Sequence, residues 1–171
     1  MVIATLIDRA SSGWRAPALL TLGGVGAIAA AFFMQFVVGV QPCILCLYQR
    51  IPYVVVALLG LTALVFGRHR RLRVALLGLM ATVLLVGCGI AVFHVGVQNH
   101  WWNATVGCGV PPPAATVDEL RARMMAAPIA RCDEVAWSLF GISLPGYNIL
   151  LSLIIAAFAL RSAWLAAWAK P

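Results

Sequence analysis

The chain has 171 residues, of which 63% are hydrophobic and 10% charged, and its mean hydropathy is +0.99. Soluble domains average about half apolar and about a quarter charged residues, so the composition excludes a soluble enzyme and a disordered chain as the default interpretation. The formal net charge is +7 at pH 7, and its meaning depends on where the basic residues lie.

Four long stretches of the chain contain no Asp, Glu, Lys, Arg or His. A bilayer core of roughly 30 Å requires about 20 mostly apolar residues in a helix. Because backbone in lipid must satisfy its own hydrogen bonds, we predict an all-α membrane protein, a four-transmembrane-helix bundle forming a single integral membrane domain over residues 1–171. The predicted helices cover about residues 17–38, 43–66, 74–97 and 146–166, and two loops on one side cover about 39–42 and 98–145.

Basic residues are concentrated on one side of the predicted bundle. That side holds eight of the 12 Lys and Arg residues: Arg9, Arg15, Arg68, Arg70, Arg71, Arg73, Arg161 and Lys170. By the positive-inside rule this side is cytoplasmic, together with both termini, and the two loops lie outside. The positive charge then serves topology and contact with anionic lipid, and it gives no sign of nucleic-acid binding.

The first predicted helix has a competing interpretation as a cleaved signal peptide, because Ala27-Ile28-Ala29 matches an A-x-A cleavage site. However, the apolar stretch continues through Phe32, Phe33 and Val37, well beyond a usual signal-peptide core. We therefore expect this segment to be retained as a membrane helix.

A Cys-x-x-Cys pair, Cys43 and Cys46, lies at the start of the second predicted helix. A two-residue spacer gives a structural disulfide little loop-closure stabilisation, whereas this spacing is common in redox sites with a lowered thiol pKa. If the helix starts near Pro42, Cys46 lies in its first turn, where the helix dipole favours a thiolate. Arg50 lies four residues on, on the same face, and stabilises that anion further. A snorkelling interfacial anchor is the alternative role for this arginine.

Pro52 falls inside the second helix, where it should kink the helix or leave the carbonyl of Tyr48 unpaired.

The third helix runs the opposite way, so its end, with His94 and Gln98 on one face, lies level with Cys46 and Arg50. A membrane quinone is the natural oxidant that reaches this depth, and its carbonyl oxygens need hydrogen-bond donors as it gains electrons. The alternative for His94 is an interfacial histidine whose hydrogen bonds are simply satisfied.

Trp101 and Trp102 are most simply an interfacial aromatic belt. Cys88 lies within the third helix without a partner at its depth, and we interpret it as a buried packing residue.

The loop before the fourth helix contains the only sizeable polar segment. Pro111, Pro112 and Pro113 predict a stiff extended stretch, and Thr116 to Glu119 fits a capping box that begins a short amphipathic helix. Its apolar stripe is Leu120, Met124 and Met125, and Pro128 ends it. A helix lying on the membrane surface and a loop helix packed on the bundle both remain open.

Cys108 and Cys132 lie in the same loop, 24 positions apart. Cysteines outside the cytoplasm tend to be oxidised, so these two can form a structural staple, which would make the chain a disulfide-stapled structural membrane protein. Together with Cys43 and Cys46 they can instead form a four-thiolate metal site, although only the Cys43–Cys46 half has typical ligand spacing.

The chain as a whole resembles the disulfide bond formation protein B (DsbB) family. The residues that carry the resemblance are Pro42-Cys43-Ile44-Leu45-Cys46 with Arg50 four residues on, the His94…Gln98 spacing, and the segment from Cys132-Asp133 through Trp137, Phe140-Gly141 and Pro145. The order of helices, loops and cysteines is also similar. Gln49 stands where the family often has an acidic residue, and the Cys108 region matches only in its cysteine.

The resemblance implies a thiol:quinone oxidoreductase of the bacterial inner membrane that reoxidises a periplasmic DsbA-like thiol oxidase. It implies disulfides Cys43–Cys46 and Cys108–Cys132, with a transient Cys43–Cys132 bond and with Cys108 attacked by the reduced oxidase. Cys46 would pass electrons to ubiquinone or menaquinone, held by Arg50 and His94 with help from Gln98. No metal is implied.

Overall fold

The structure is a computed structural model that describes residues 13–104, 108, 115–125 and 130–168, without the side chains of residues 120 and 123–125. In these ranges four helical segments are long and apolar enough to cross a membrane. They are Arg15–Phe36 (α1), Ile44–Phe66, Arg70–Gln98 (α4) and Leu144–Trp168 (α6). The predicted all-α architecture with four membrane-spanning helices is confirmed.

The second span consists of two helices, Ile44–Tyr48 (α2) and Ile51–Phe66 (α3), separated by a turn at Gln49 and Arg50. The interruption follows from Pro52, which has no backbone N–H to donate to the carbonyl of Tyr48. Its ring packs closely on α4, because a Cβ atom on Gly87 would lie 2.8 Å from the Pro52 Cγ. The break therefore points the side chains of the turn into the bundle.

The helices pack as neighbours, α1 against α3 and α4 against both α3 and α6. The largest fully buried core side chains include Leu20, Val56, Leu77, Met80 and Leu84. Large apolar side chains are also exposed along every span, for example Phe36 at 73% and Ile154 at 68%. A soluble monomer rarely exposes so much contiguous apolar surface, and lipid is the solvent that such surface requires.

The end of α4 turns the chain back on itself. The N–H of Trp101 donates to the carbonyl of Gly96 at 2.9 Å and that of His100 to Val97 at 3.1 Å, with His100 at φ +57°. These bonds form a Schellman motif, which more often places Gly in the left-handed position. The Trp102 ring lies directly over Gly96, and its Nε1–H donates to the Phe93 carbonyl at 2.9 Å. Trp102 therefore packs on the helix end, in addition to any role in an aromatic belt.

The polar loop contains a short helix, Val117–Met125 (α5). Thr116 Oγ1 accepts the Glu119 N–H at 3.2 Å, while the Glu119 carboxylate accepts the N–H of Ala115 at 2.9 Å, one residue before the position expected for a capping box. The side chains of the predicted apolar stripe are not among those described, and the three prolines of 111–113, Pro128, Arg9 and Lys170 lie outside the described residues. A two-stranded hairpin, Ser138–Leu139 (β1) with Ile142–Ser143 (β2), precedes α6.

Candidate functional site

The four cysteines predicted to act together meet in one buried cluster. Cys43 and Leu45, at the start of α2, pack with Val97 of α4 and with Cys108 and Cys132. Cys108 and Cys132, the loop pair, form a disulfide with Cα atoms 5.1 Å apart, and they are 1% and 0% exposed. The loop disulfide therefore shares a buried cluster with Cys43, the residue that precedes the second span.

Cys43 and Cys46, the helix pair, are free thiols in this structure, although a disulfide was predicted for them. Their Sγ atoms are 2.9 Å apart, compared with about 2.05 Å in a disulfide. Cys43 is the N-cap residue of α2, and its Sγ accepts the N–H of Cys46 at 3.4 Å. The pair is thus close enough to oxidise after a small approach of the two sulfurs.

The contacts that stabilise an anion lie mainly on Cys43. The pKa of Cys43 is lowered well below its usual 9.0, first by a hydrogen bond from the Cys46 thiol and then by His94, against the opposing effect of burial. The His94 Nε2 atom lies 3.7 Å from the Cys43 Sγ. Sequence reasoning expected the helix N-terminus to act on Cys46, but in the structure the N-cap sulfur accepts the free N–H group.

Arg50 is held by two residues of α1. Its Nη1 donates to Gln35 Oε1 at 2.9 Å, and its guanidinium carbon lies 5.2 Å from the centre of the Phe32 ring. Neither partner was predicted. The signal was present, since Gln35 follows thirteen consecutive apolar residues in 22–34, and a polar side chain inside a membrane helix marks a functional or structural contact.

A cavity of about 260 Å³, which we call the arginine cavity, opens beside the helix pair. The four residues predicted to meet at this level all line it: Cys46, Arg50, His94 and Gln98. Most of the remaining wall is apolar, and part of it comes from Ala27, Ile28, Ala30, Ala31, Met34 and Leu151. Such a cavity, apolar with a few convergent polar groups, suits an organic molecule with a polar head.

The segment that follows the loop pair also borders the arginine cavity. Arg131 and Glu134 line it, and the Gln98 Nε2 donates to the Glu134 carbonyl at 3.5 Å. Arg131 forms ion pairs with Asp133 at 2.6 Å and with Glu134 at 3.1 Å, and its hydrogen bond lowers the pKa of the Asp133 carboxyl. Arg50, in contrast, has no ion pair among the described residues.

Behind the cavity lies a buried chain of polar side chains that sequence reasoning did not find. His94 is 1% exposed, and its Nδ1 lies 2.8 Å from the Nε2 of Gln49, which is 5% exposed. Gln49 in turn accepts from Asn148, whose amide oxygen accepts from Tyr53 and Ser152. The sequence contains two indications of this network: Gln49 and Tyr53 are four residues apart within the second predicted helix, and Asn148 and Ser152 are four residues apart within the fourth. That spacing predicts one shared helix face for each pair.

The metal interpretation rests on a different set of residues from the one predicted. Cys43, Cys46 and His94 place three possible ligand atoms within 4.8 Å of one another. The four-thiolate site is not present among the described residues, because Cys108 and Cys132 are bonded to each other. The arrangement is instead that of a dithiol next to a disulfide, which can exchange electrons as a pair.

Comparison with known proteins identifies one family. The family model described as "Disulfide bond formation protein DsbB" matches residues 14–161. Among curated relatives, "Disulfide bond formation protein B" of Saccharophagus degradans is 33% identical over 80% of this chain and 85% of its own length. "Disulfide bond formation protein B 2" of Pseudomonas entomophila is 33% identical over 89% of both chains, and the Xanthomonas campestris pv. campestris protein is 31% identical over 86% of this chain and 89% of its own. No solved structure matches significantly.

Proposed function

The chain belongs to the disulfide bond formation protein DsbB family, and from this we propose that it is a thiol:quinone oxidoreductase that reoxidises a DsbA-like thiol oxidase. The observation that carries the proposal is the meeting of both cysteine pairs in one buried cluster, beside a cavity lined by Arg50 and His94. Electrons can then pass between the pairs without a diffusing intermediate.

Electrons would enter at the loop pair. A thiolate of the reduced oxidase attacks the Cys108 sulfur and breaks the Cys108–Cys132 bond, giving a mixed disulfide that the second thiol of the oxidase resolves. The oxidase leaves with a disulfide, and the loop pair is left with two electrons and two protons as thiols. Because Cys108 is 1% exposed, this attack requires that docking of the oxidase uncovers the sulfur.

The helix pair would receive the same two electrons. The Cys132 thiolate attacks Cys43 in an oxidised helix pair and frees Cys46, and Cys108 then attacks Cys132, which restores the loop disulfide and frees Cys43. The result is a dithiol at Cys43 and Cys46 with a disulfide at Cys108 and Cys132, the arrangement described above. The packing of Cys43 with the loop pair supports this route.

The arginine cavity fits a membrane quinone as the final acceptor. Both Cys43 and Cys46 line the cavity, but Cys46 is the more exposed of the two, so it is the sulfur that would face the acceptor ring. Arg50 and His94 supply donors at the polar end, with Gln98 nearby, and α1 supplies an apolar wall. A bound ubiquinone or menaquinone would take up two electrons and two protons while the helix pair returns to a disulfide.

The membrane placement is part of the same proposal. The basic residues near 68–73 and Arg161 lie at the opposite ends of the spans from the cysteine cluster. We place that basic side and both termini in the cytoplasm by the positive-inside rule, and the cysteine cluster at the periplasmic face of the inner membrane, where disulfides persist.

The test is anaerobic mixing of the purified, lipid-embedded protein with a reduced DsbA-like oxidase and a soluble quinone analogue, followed by quinone absorbance. We expect one quinone reduced for each oxidase dithiol consumed. Cys46→Ser should abolish quinone reduction but leave the loop pair able to exchange, and Cys108→Ser should stop electron entry. The matched control is Cys88→Ala, which removes a buried cysteine outside the cluster and should preserve turnover.

Two results would overturn the proposal in favour of its alternatives. If Cys46→Ser lowers only thermal stability, and the wild type reduces no quinone, the cysteines are structural staples. If the purified protein holds stoichiometric zinc that a chelator removes together with its function, Cys43, Cys46 and His94 serve a metal site instead.

A further inference from the structure

The side-chain amide of Gln49 lies between His94 and Asn148 in the buried interior. Its Nε2 lies 2.8 Å from His94 Nδ1, and its Oε1 accepts from the Nδ2 of Asn148. On the far side, the Asn148 Oδ1 accepts from Ser152 at 3.1 Å and from the Tyr53 hydroxyl. Among the described residues, no buried side-chain nitrogen or oxygen lacks a partner, so the chain of hydrogen bonds is complete.

The direction of these hydrogen bonds determines where His94 carries its proton. In the structure the oxygen of Asn148 faces the hydroxyls of Tyr53 and Ser152, which also lie 2.8 Å from each other, and its NH₂ group donates to the Gln49 oxygen. The NH₂ group of Gln49 is left facing His94. Because an amide NH₂ can only donate, His94 Nδ1 must accept, and a neutral imidazole then has its single N–H on Nε2. That atom is the one 3.7 Å from the Cys43 sulfur.

We propose that Gln49 and Asn148 are positioning residues that hold His94 as the Nε2–H tautomer and so keep a hydrogen-bond donor on the sulfur of Cys43. The inference rests on the proposed function and deepens it, because Cys43 is the sulfur released when the loop disulfide re-forms. A fixed donor stabilises the released thiolate without reorganisation at the moment of exchange. Asn148 acts at a distance, since its contact is with Gln49 and not with His94.

The tautomer can be observed directly by ¹⁵N NMR of ring-labelled histidine in the reduced protein in lipid nanodiscs. The chain has 3 His, and replacing the exposed His69 and His100 by Asn leaves His94 as the only labelled ring. We expect a protonated Nε2 and an unprotonated Nδ1. A spectrum with the proton on Nδ1 would overturn the proposal.

Asn148→Leu provides the second arm, because it removes the donor to Gln49 while leaving every atom in contact with His94 in place. The Gln49 amide can then rotate and accept from Nδ1–H, so we expect the other tautomer to appear. Ser162→Ala is the matched control: it also removes a buried hydrogen bond from α6, between Ser162 and the Phe158 carbonyl, and it should leave the His94 spectrum unchanged. An unchanged spectrum in Asn148→Leu would refute the role of Asn148.

Gln49→Met gives an independent arm in case Asn148→Leu does not fold, since it removes the donor to Nδ1 itself. We expect mixed tautomers, together with a rate of transfer from the loop pair to the helix pair that falls about tenfold, as for loss of one hydrogen bond to a charged group. An unchanged tautomer in Gln49→Met would also refute the inference. The NMR measurement uses neither quinone nor oxidase, so its failure is distinguishable from failure of the electron-transfer assay.

Discussion

Replacing Arg50 separates the two halves of the proposed reaction. Arg50 lines the arginine cavity, whereas the loop pair, which we propose accepts the electrons, lies in the neighbouring buried cluster. We therefore expect Arg50→Met to impair quinone reduction and to leave thiol–disulfide exchange with the oxidase within about twofold of the wild type. Loss of quinone reduction without loss of thiol–disulfide exchange is expected only if Arg50 acts on the quinone.

The expected loss in the rate of quinone reduction depends on how well the contacts of Arg50 fix its guanidinium. A hydrogen bond from a charged group contributes about 1.5–3 kcal/mol, here to Gln35, and stacking on Phe32 adds about 0.5–1 kcal/mol. A donor fixed in this way on a developing oxyanion is worth about 10²–10³ in rate, or about 3–4 kcal/mol at about 1.36 kcal/mol per factor of ten. Arg50→Lys keeps the charge but loses the planar guanidinium, so its rate of quinone reduction should lie between those of the wild type and Arg50→Met.

The assay combines steady-state quinone reduction with a single-turnover measurement of the mixed disulfide formed with the oxidase. Gln35→Met is an informative companion, because it leaves the guanidinium present but unoriented and should cost about tenfold in turnover. Arg73→Met removes a guanidinium from the opposite end of the bundle, where Arg73 donates to the Gly67 carbonyl, and it should be silent. Quinone turnover within threefold of the wild type in Arg50→Met, or a parallel loss of exchange, would refute this reasoning.

Three further outcomes follow from the geometry. Gly96→Ala places a methyl group where the Trp102 ring lies, so we expect the free energy of unfolding to fall by about 1–3 kcal/mol, measured by thermal unfolding in lipid; an unchanged melting temperature would contradict the packing described for Trp102. In the reduced protein the lowered pKa of Cys43 shifts its deprotonation to lower pH, so thiolate absorbance near 240 nm should persist at pH 7, where a thiol of pKa 9.0 is almost fully protonated. In His94→Gln the thiolate absorbance at pH 7 should decrease. If the wild type and His94→Gln give the same titration curve, the contact between His94 and Cys43 does not stabilise the thiolate. Cys88→Ala should leave turnover unchanged, because Cys88 lies 8% exposed in α4, apart from the cluster; an inactive variant would show that it takes part in the reaction.

The helical architecture was predictable because membrane spans are encoded by composition over about 20 residues. The interruption of the second span was predictable for a similar reason, since proline removes a donor regardless of context. The level at which Cys46, Arg50, His94 and Gln98 meet followed from antiparallel helices and spacing. These features depend on local sequence and on one-dimensional distances along a helix.

What the sequence did not reveal depends on contacts between helices far apart in the chain. The partners Gln35 and Asn148 lie on α1 and α6, 15 and 99 positions from the residues they bind, and nothing in local patterning assigns those pairs. The sequence also assigned the stabilised thiolate to Cys46, whereas in the structure the stabilising contacts lie on Cys43. The difference arises because Cys43 occupies the N-cap of α2. Gln49 appeared in the sequence only as a departure from the acidic residue common in the family, whereas in the structure its amide contacts His94 directly.

The burial of the loop disulfide has a consequence for selectivity against small reductants. In the proposed reaction, an accessible disulfide would let any small thiol deliver electrons to the quinone without a protein being oxidised. With Cys108 and Cys132 at 1% and 0% exposure, such molecules find no sulfur to attack. Under the proposed function, electrons then enter only from a partner whose binding uncovers the sulfur of Cys108, and burial alone excludes small thiols.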